Sequence, residues 1–191
     1  MSAAPELFIL DRIPTPIGPL LIGFDAETRL RILDFDDYEA RMRVLLRRQY
    51  GEGAVRLVDG RVPDSLRAPI EAYFAGDLAA IDAIPVSAAG TLFQREVWAA
   101  LRAIPAGKTL SYGALARQIG RPAAVRAVGL ANGANPIGVV VPCHRVIGAD
   151  ASLTGYGGGL ERKRWLLAHE GVEVSAAPPR GGRQTELALE P

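Results

Sequence analysis

The sequence predicts an α+β fold in which a small N-terminal α/β domain precedes a mainly helical C-terminal domain. Three short apolar runs near the N-terminus, separated by turn residues, are typical of a sheet. From Gly90 onward, apolar residues recur mostly at helical spacing. This change of period predicts domains over 1–89 and 90–173, followed by a disordered tail over 174–191 that is rich in Pro, Gly and Ala.

The first domain should begin with an antiparallel meander. Its β segments cover residues 7–10, 20–24 and 30–33, and the connections between them are short. Apolar residues at helical spacing, with arginines opposite, predict a helix over 38–50. A second helix is expected over 66–74, before a linker with one extended piece.

Three aspartates, Asp34, Asp36 and Asp37, follow the third β segment. Clustered carboxylates suggest a metal site, but no further ligands are spaced to complete one. We therefore interpret them as a solvated strand end and predict no metal site.

The second domain should open with a capped helix, because Thr91 and Gln94 form a capping-box pair ahead of an apolar stripe. A helix over 110–119 and another over 123–132, with Pro122 at its first position, would give a helix-turn-helix. The second of these helices carries mostly Ala and Gly. Such a thin helix suits a narrow DNA groove, and it equally suits close packing against another helix.

The most informative stretch is the β-branched run 139–141, which leads through Pro142 into Cys143 and His144. The run predicts a short buried strand that ends at the proline. A lone cysteine is usually a small buried hydrophobe, whereas a thiolate assisted by a histidine is a nucleophile. Neighbours in a strand point to opposite faces, so contact between the two side chains requires a turn or a bridging water.

Beyond Cys143, the glycine-rich segment 153–159 should be irregular. Its glycines permit a close approach to a ligand, although a flexible surface loop would look the same. A helix is expected over 160–170, ended by Gly171.

The composition limits the classes of function. Hydrophobic residues make up 49% and charged residues 23%, as in soluble globular proteins. A single cysteine excludes an intrachain disulfide, and with two histidines it leaves too few ligands for a structural zinc site. Neither a signal peptide nor a membrane span is recognisable, so we expect a cytoplasmic protein. The net charge of +1 means that any DNA contact must use a local basic patch.

Pro142-Cys143-His144-Arg145-Val146 resembles the active-site signature of the O6-alkylguanine-DNA alkyltransferases. The resemblance runs from about Phe93 to Gly171, and it implies an RNase H-like N-terminal domain and a helix-turn-helix. Several further motifs occur in the family's order: Ser111-Tyr112-Gly113, Arg126-Ala127-Val128-Gly129, Ala134-Asn135-Pro136, the glycine-rich segment around Tyr156, and Leu167-Ala168-His169-Glu170-Gly171.

The resemblance implies stoichiometric, irreversible DNA repair without a cofactor. Cys143 would take the alkyl group from O6 of guanine and keep it as a thioether. His144 would accept the thiol proton through a water, and Glu170 would orient His144. Tyr112 would donate a hydrogen bond to the guanine oxygen, and Asn135 would act as a hinge between the DNA-binding unit and the cysteine.

The resemblance also implies how DNA would be held. The damaged nucleotide would be flipped out through the minor groove, and Arg126 would fill its place in the stack. Ala127 and Gly129 of the thin helix would lie in the groove, with Ser111, Tyr112 and Arg121 also contacting DNA. The expected partner is duplex DNA containing O6-alkylguanine, with neither a membrane nor an obligate protein partner, and the protein should be a monomer.

The resemblance places the substrate pocket at Tyr156, Gly157, Gly158, Val146 and Gly138. Two of these positions depart from some family members, since Gly157 replaces a serine and Gly138 a proline. We expect both changes to widen the pocket toward larger adducts or O4-alkylthymine.

Three other classes of function predict different behaviour. A damage-recognition protein without chemistry would lack the cysteine. A Cys-His hydrolase would turn over repeatedly. A helix-turn-helix regulator would prefer one operator sequence and would usually need a segment for dimerisation.

Overall fold

The computed structural model describes residues 4–173, and it has the predicted α+β fold. Strands β1 (Glu6–Ile13), β2 (Leu20–Phe24) and β3 (Leu30–Phe35) form the expected antiparallel meander. A fourth strand, β4 (Val55–Asp59), pairs parallel to β1 and completes the order β3-β2-β1-β4. The sequence reading missed β4 because this edge strand is only half-buried and has no clear apolar face.

The two helices predicted for the N-terminal half are confirmed as α1 (Glu39–Tyr50) and α2 (Asp64–Phe74). Helix α1 packs Met42 and Leu46 against one face of the sheet. Asp34 at the end of β3 does not belong to a solvated strand end, because its side chain is buried beside an arginine of α1.

The C-terminal half begins with α3 (Leu92–Arg102), and the predicted capping box is present. The Thr91 hydroxyl accepts a hydrogen bond from the Gln94 backbone, and the Gln94 side chain accepts one from the Thr91 backbone. These two bonds satisfy backbone donors that the first helical turn leaves free.

The next predicted helix is shorter than expected. Leu110–Ser111 forms strand β5, which pairs parallel to β6 (Val146–Ile147), and α4 covers only Tyr112–Gln118. The Ser111 hydroxyl caps α4 by accepting a hydrogen bond from a backbone amide of its first turn. The strand pairing therefore ties the start of α4 to the chain just after Cys143.

Helix α5 covers Val125–Gly133, so the prediction that Pro122 opens it is wrong. Pro122 lies in the turn between α4 and α5, and the helix begins three residues later. The last helix, α6 (Leu160–His169), follows the irregular glycine-rich segment and is ended as predicted by Gly171, which has a φ of +78°. The helix-turn-helix and RNase H-like labels stay predictions.

One apolar cluster runs through both halves of the described chain. It joins Ile13 and Leu66 from the first half to Val97, Val128 and Leu166 from the second. The predicted domain boundary at residue 89 therefore divides the chain, whereas the apolar core is continuous across it. Among the described helices, none combines the length and the apolarity needed to cross a bilayer, and the predicted tail at 174–191 lies outside the described residues.

Candidate active site

The valine run before Cys143 is a turn and not the predicted strand. Val140 N donates to Gly138 O, Val141 N to Ile137 O and Cys143 N to Val141 O, so the backbone bonds close within the segment. All three valines are buried, which explains why they resembled a strand in the sequence. A 3-10 turn over Cys143–Arg145 follows, and it supplies the change of direction that His144 needs.

The turn is fixed at one edge of the large sheet. Leu33 N of β3 donates to Pro136 O at 2.9 Å, and Gly138 N donates back to Leu33 O at 2.7 Å. The Asn135 side chain closes the turn from inside, since its Nδ2 donates to Val141 O at 2.8 Å. Its Oδ1 accepts a hydrogen bond from Ile137 N at 3.0 Å. Asn135 therefore lies between the end of α5 and the turn before Cys143, and its role as a hinge stays a prediction.

These hydrogen bonds keep Val139, a residue with a strained backbone, in place. Val139 has a φ of +65°, a conformation that β-branched residues rarely adopt. Such strain costs on the order of 1–3 kcal/mol and persists only where the surroundings over-determine it. The strained turn lies four residues before the cysteine, so its rigidity sets the position of the sulfur.

His144, which follows Cys143 in the same 3-10 turn, and Glu170 form the predicted pair. His144 Nε2 lies 2.8 Å from Glu170 Oε1, and both side chains are fully buried. A carboxylate only accepts hydrogen bonds, so the proton lies on Nε2, and Nδ1 keeps its lone pair. Burial lowers the pKa of His144, which favours the neutral ring. Within residues 4–173, Nδ1 has no hydrogen-bond partner.

Glu170 is also held by two groups that the sequence reading did not assign. Arg145 Nε donates to its Oε2 and Arg145 Nη2 to its Oε1, each at 2.9 Å. The hydroxyl of Tyr73, in α2, donates to Oε1 at 2.7 Å. Burial alone would raise the pKa of Glu170, but the hydrogen bonds from His144 and Arg145 hold it well below its usual range. Glu170 thus stays ionised and can orient His144.

A Tyr73→Phe variant isolates the contribution of the N-terminal half to this network. It keeps the ring but removes one hydrogen bond to a buried carboxylate, so we expect the free energy of unfolding to fall by about 1.5–3 kcal/mol. Urea unfolding followed by circular dichroism measures the change. An unfolding midpoint equal to that of the unmodified protein would show that the hydroxyl contributes nothing.

The glycine-rich segment is fixed by Lys163, a buried residue of α6. Its Nζ donates to Val146 O and Thr154 O, both at 2.6 Å, and more weakly to Gly155 O. Burial lowers the pKa of Lys163 to about 8. The ammonium group therefore joins the strand after Cys143 to the glycine-rich segment, which is not the free surface loop that the sequence also allowed.

A cavity of about 370 Å³ opens at Cys143, within the range of small-ligand sites. Besides Cys143, its lining includes four of the predicted site residues, Tyr112, Gly129, Tyr156 and Gly157. Burial raises the pKa of Tyr112 and of Tyr156, so both hydroxyls stay protonated near neutrality and can donate. Burial also raises the pKa of the Cys143 thiol.

The other predicted pocket residues lie elsewhere. Val146 is buried in β6, and Gly158 packs against the ring of Phe35. Gly138 faces the backbone of β3, where its amide is a donor that a proline would lack. None of the three belongs to the lining of this cavity.

The expectation that Gly157 widens the pocket stays a prediction, and the surroundings of this residue bear on it. A Cβ at this position would lie 2.5 Å from Cζ of Arg41, so a side chain of α1 already fills the space. At Gly138, a Cβ would lie 3.2 Å from Leu33 O, which leaves no open volume there either.

The predicted DNA-binding residues lie in the segment from β5 to α5, and two of them, Tyr112 and Gly129, line the cavity. Arg126 and Ala127 are exposed on α5. Gly129 of the same helix lines the cavity and packs beside the ring of Tyr112, where a Cβ would lie 3.9 Å from the ring. Ser111 serves as the cap of α4.

Arg121 is exposed, but it pairs with Glu96 of α3 at 3.0 Å and lies over the ring of Phe93. An exposed pair of this kind contributes little, about 0–1 kcal/mol, so the arginine can exchange its partner for a phosphate.

Four residues of the site had no assigned role in the sequence reading: Arg41, Tyr73, Arg145 and Lys163. Arg145 lies inside the recognised motif, and a cation in an apolar stretch could have suggested a buried ion pair. The contacts of the other three join distant parts of the chain or depend on which side chains are buried, and no local pattern shows either.

Comparisons with known proteins agree with this geometry. A family profile for the DNA-binding domain of 6-O-methylguanine DNA methyltransferase matches residues 92–172. A methylated-DNA–protein-cysteine methyltransferase of Salmonella typhimurium is 53% identical over 161 residues, which is 84% of this chain and 94% of that protein. One from Mycobacterium bovis is 48% identical over 168 residues, 87% of this chain and 92% of that protein.

A solved structure extends the similarity to three dimensions. The crystal structure of Mycobacterium tuberculosis OGT in complex with DNA matches with a TM-score of 0.69 and 42% sequence identity. The match covers 85% of this chain and 93% of that chain. Similarity therefore reaches beyond 92–172 into the half that supplies Tyr73 and Arg41.

Proposed function

Because the chain belongs to the 6-O-methylguanine DNA methyltransferase family, we propose that it repairs DNA by moving the alkyl group of O6-alkylguanine onto Cys143. The observation that carries the proposal is the buried His144–Glu170 pair, whose histidine follows in the chain a cysteine that lines a cavity. Since the sulfur keeps the alkyl group as a thioether, each protein molecule acts once.

The thiol must first lose its proton. Burial raises the pKa of Cys143, and the charge of Arg41 and a hydrogen bond from Asn135 only partly offset this, so the resting group is a thiol. His144 Nδ1 accepts the proton through a bridging water, while Glu170 stabilises the imidazolium that forms. This is the nucleophile, base and orienter arrangement of covalent catalysis.

In the transfer step, the sulfur attacks the alkyl carbon. A carbon–sulfur bond forms as the bond from carbon to O6 breaks, and the guanine oxygen takes the electron pair. Tyr112, which lines the same cavity, donates a hydrogen bond to this oxygen as charge develops. The guanine anion then takes up one proton, equivalent to the one that the thiol gave to His144, and the product is unmodified guanine.

The target oxygen lies inside the duplex, so the nucleotide must be flipped into the cavity, at a cost of a few kcal/mol. Helix α5 suits this step, because two of its apolar side chains, Val125 and Leu130, are 40% and 54% exposed. Apolar side chains that enter the minor groove stabilise unstacked DNA. Arg126 of the same helix fills the gap in the stack. The proposal covers O6-alkylguanine, and repair of O4-alkylthymine stays a prediction.

An Arg126→Ala variant tests the flipping step. Without the arginine, the open stack is not compensated, so we expect repair of duplex DNA to slow by about tenfold. Reaction with the free modified base should be nearly unchanged. Single-turnover rates on both substrates measure the effect, with Arg164→Ala, an exposed arginine of α6, as the control. Equal losses on the two substrates would exclude the stack-filling role.

The central test is mass spectrometry of the intact protein after mixing with a duplex oligonucleotide that contains O6-methylguanine. We expect one methyl group per chain, located on the peptide that contains Cys143. Continued release of product beyond one equivalent would favour the Cys-His hydrolase instead. Binding without any gain of mass would leave only damage recognition.

A further inference from the structure

We propose that Arg41 is a specificity-determining residue of the Cys143 cavity, whose guanidinium takes the place of a side chain at Gly157 and limits the size of the alkyl group admitted. The inference rests on the alkyl transfer proposed above and deepens it, because it names the class of substrate. Small O6-alkyl groups are accepted, and bulky groups such as benzyl are disfavoured.

The position of the guanidinium carries the proposal. Arg41 belongs to α1, in the N-terminal half, yet it lines the cavity together with Cys143 and Gly157. A Cβ built on Gly157 would lie 2.5 Å from Cζ of Arg41, 2.5 Å from Nη2 and 2.9 Å from Nε. All three distances are far below a van der Waals contact. A side chain at 157 therefore requires the Arg41 guanidinium to move.

Arg41 is fixed at this place and does not simply rest there. Its Nη1 donates to Oδ2 of Asp34 in β3, and its Nη2 donates to Gly133 O, at the end of α5, at 2.7 Å. The Asp34 side chain is only 8% exposed, so movement of the arginine would leave a buried carboxylate without its cation. Breaking a buried pair is strongly unfavourable, which makes this side of the cavity rigid.

The guanidinium also affects the nucleophile, because its positive charge lowers the pKa of Cys143 against the effect of burial. Arg41 thus has two separable consequences, one of size and one of charge. Lysine at position 41 would keep the charge but is shorter and lacks the planar fork, so Arg41→Lys separates the two. Arg41→Ala removes both.

The test compares single-turnover rates on oligonucleotides that carry O6-methylguanine or O6-benzylguanine. For Arg41→Ala and Arg41→Lys, we expect the ratio of the benzyl rate to the methyl rate to rise on the order of tenfold, the scale of discrimination by a few carbon atoms. Arg43→Ala, an exposed arginine of the same helix that pairs only with Glu39 among the described residues, is the control and should not change the ratio. An unchanged ratio in both Arg41 variants would overturn the proposal.

A double-mutant cycle tests the mutual exclusion directly. Gly157→Ser should slow transfer of both groups in the unmodified background, and it should be tolerated when combined with Arg41→Lys or Arg41→Ala. Additive effects would contradict the steric argument. Thermal unfolding of every variant shows which of them fold, and the Arg41→Lys cycle alone decides the matter if the alanine variant does not fold.

A last measurement separates this inference from the proposed function. Alkylation of Cys143 by iodoacetamide needs no DNA, and its pH profile reports the thiol pKa. We expect the Arg41→Ala profile to move to higher pH and the Arg41→Lys profile to stay close to that of the unmodified protein. If alkylated DNA transfers nothing to Cys143, the proposed function fails while this profile still measures the contact. If the unmodified protein transfers the alkyl group, but neither the benzyl-to-methyl ratio nor the alkylation profile changes in the Arg41 variants, only the proposed role of Arg41 is refuted.

Discussion

A Cys143→Ala variant is expected to bind alkylated duplex DNA and to remove no alkyl group from it. The chain has no other cysteine, so no second thiol can take over the reaction. The loss should be complete, in contrast to the partial effects expected at the surrounding residues. Transfer of radiolabel from DNA to protein, measured with protein in excess, gives the residual activity.

Two comparisons make this result interpretable. Truncating a small buried side chain such as this one should cost about 1 kcal/mol of stability, so the variant should stay folded at room temperature. Cys143→Ser keeps the shape of the side chain but replaces the sulfur with a hydroxyl, which is a weak nucleophile at its ordinary pKa, and it should also transfer nothing measurable. Label retained by either variant would mean that another group accepts the alkyl, and the assignment of the nucleophile would be wrong.

A Glu170→Gln variant should show the largest loss of stability among the site residues. Glutamine cannot neutralise Arg145, which is only 2% exposed, and it cannot accept from all of its present donors. Leaving a buried charge without its partner costs about 3–5 kcal/mol. The midpoint of urea unfolding measures the effect, with Glu161→Gln as the control. Glu161 pairs with Arg164 at the surface of the same helix, so its loss should change stability by less than about 1 kcal/mol.

The pH dependence of stability gives a second test of the same network. Burial lowers the pKa of His144, so the unfolded chain takes up a proton below about pH 6.5 that the folded chain resists. The hydrogen bonds that keep the pKa of Glu170 low add a further loss below about pH 4.3, where the unfolded carboxylate is protonated first. Stability should therefore fall on acidification in two stages, and Glu170→Gln should weaken the lower one, to which Asp11 and Asp25 also contribute because their pKa values are lowered. A stability that rises as the pH drops from 6.5 would contradict both assignments.

The sequence predicted the parts of the site that depend on local chemistry. Residue type and spacing predicted the capped helix α3 and the end of α6 at Gly171. They also identified Cys143 and His144 as candidate site residues. The predicted strand over 139–141 was wrong because burial of β-branched residues is common to strands and to tightly packed turns. The hydrogen bonds distinguish the two, since the backbone bonds close within the segment and Asn135 donates to Val141 O. Nothing in the local pattern shows that Tyr73 reaches Glu170 across 97 positions of the chain.

The width of the pocket could not be predicted from the sequence either, and the reason is general. Replacing serine with glycine in a sequence suggests more room, yet the room exists only if nothing else enters it. Here a long cation from another element enters it, anchored by Asp34. The size of a cavity depends on every side chain and backbone segment that lines it, so the residue type at one position does not predict it.

Tyr73 and Arg41 also bear on how small a working version of this protein could be. A shortened chain starting at residue 90 would retain the helices that we propose to face DNA, the sulfur and the imidazole. It would nevertheless lack the hydroxyl that helps to hold Glu170, and the edge of β3 that fixes the turn before Cys143. The sheet is thus a working component of the reaction centre, and we expect it to be indispensable to any minimal version.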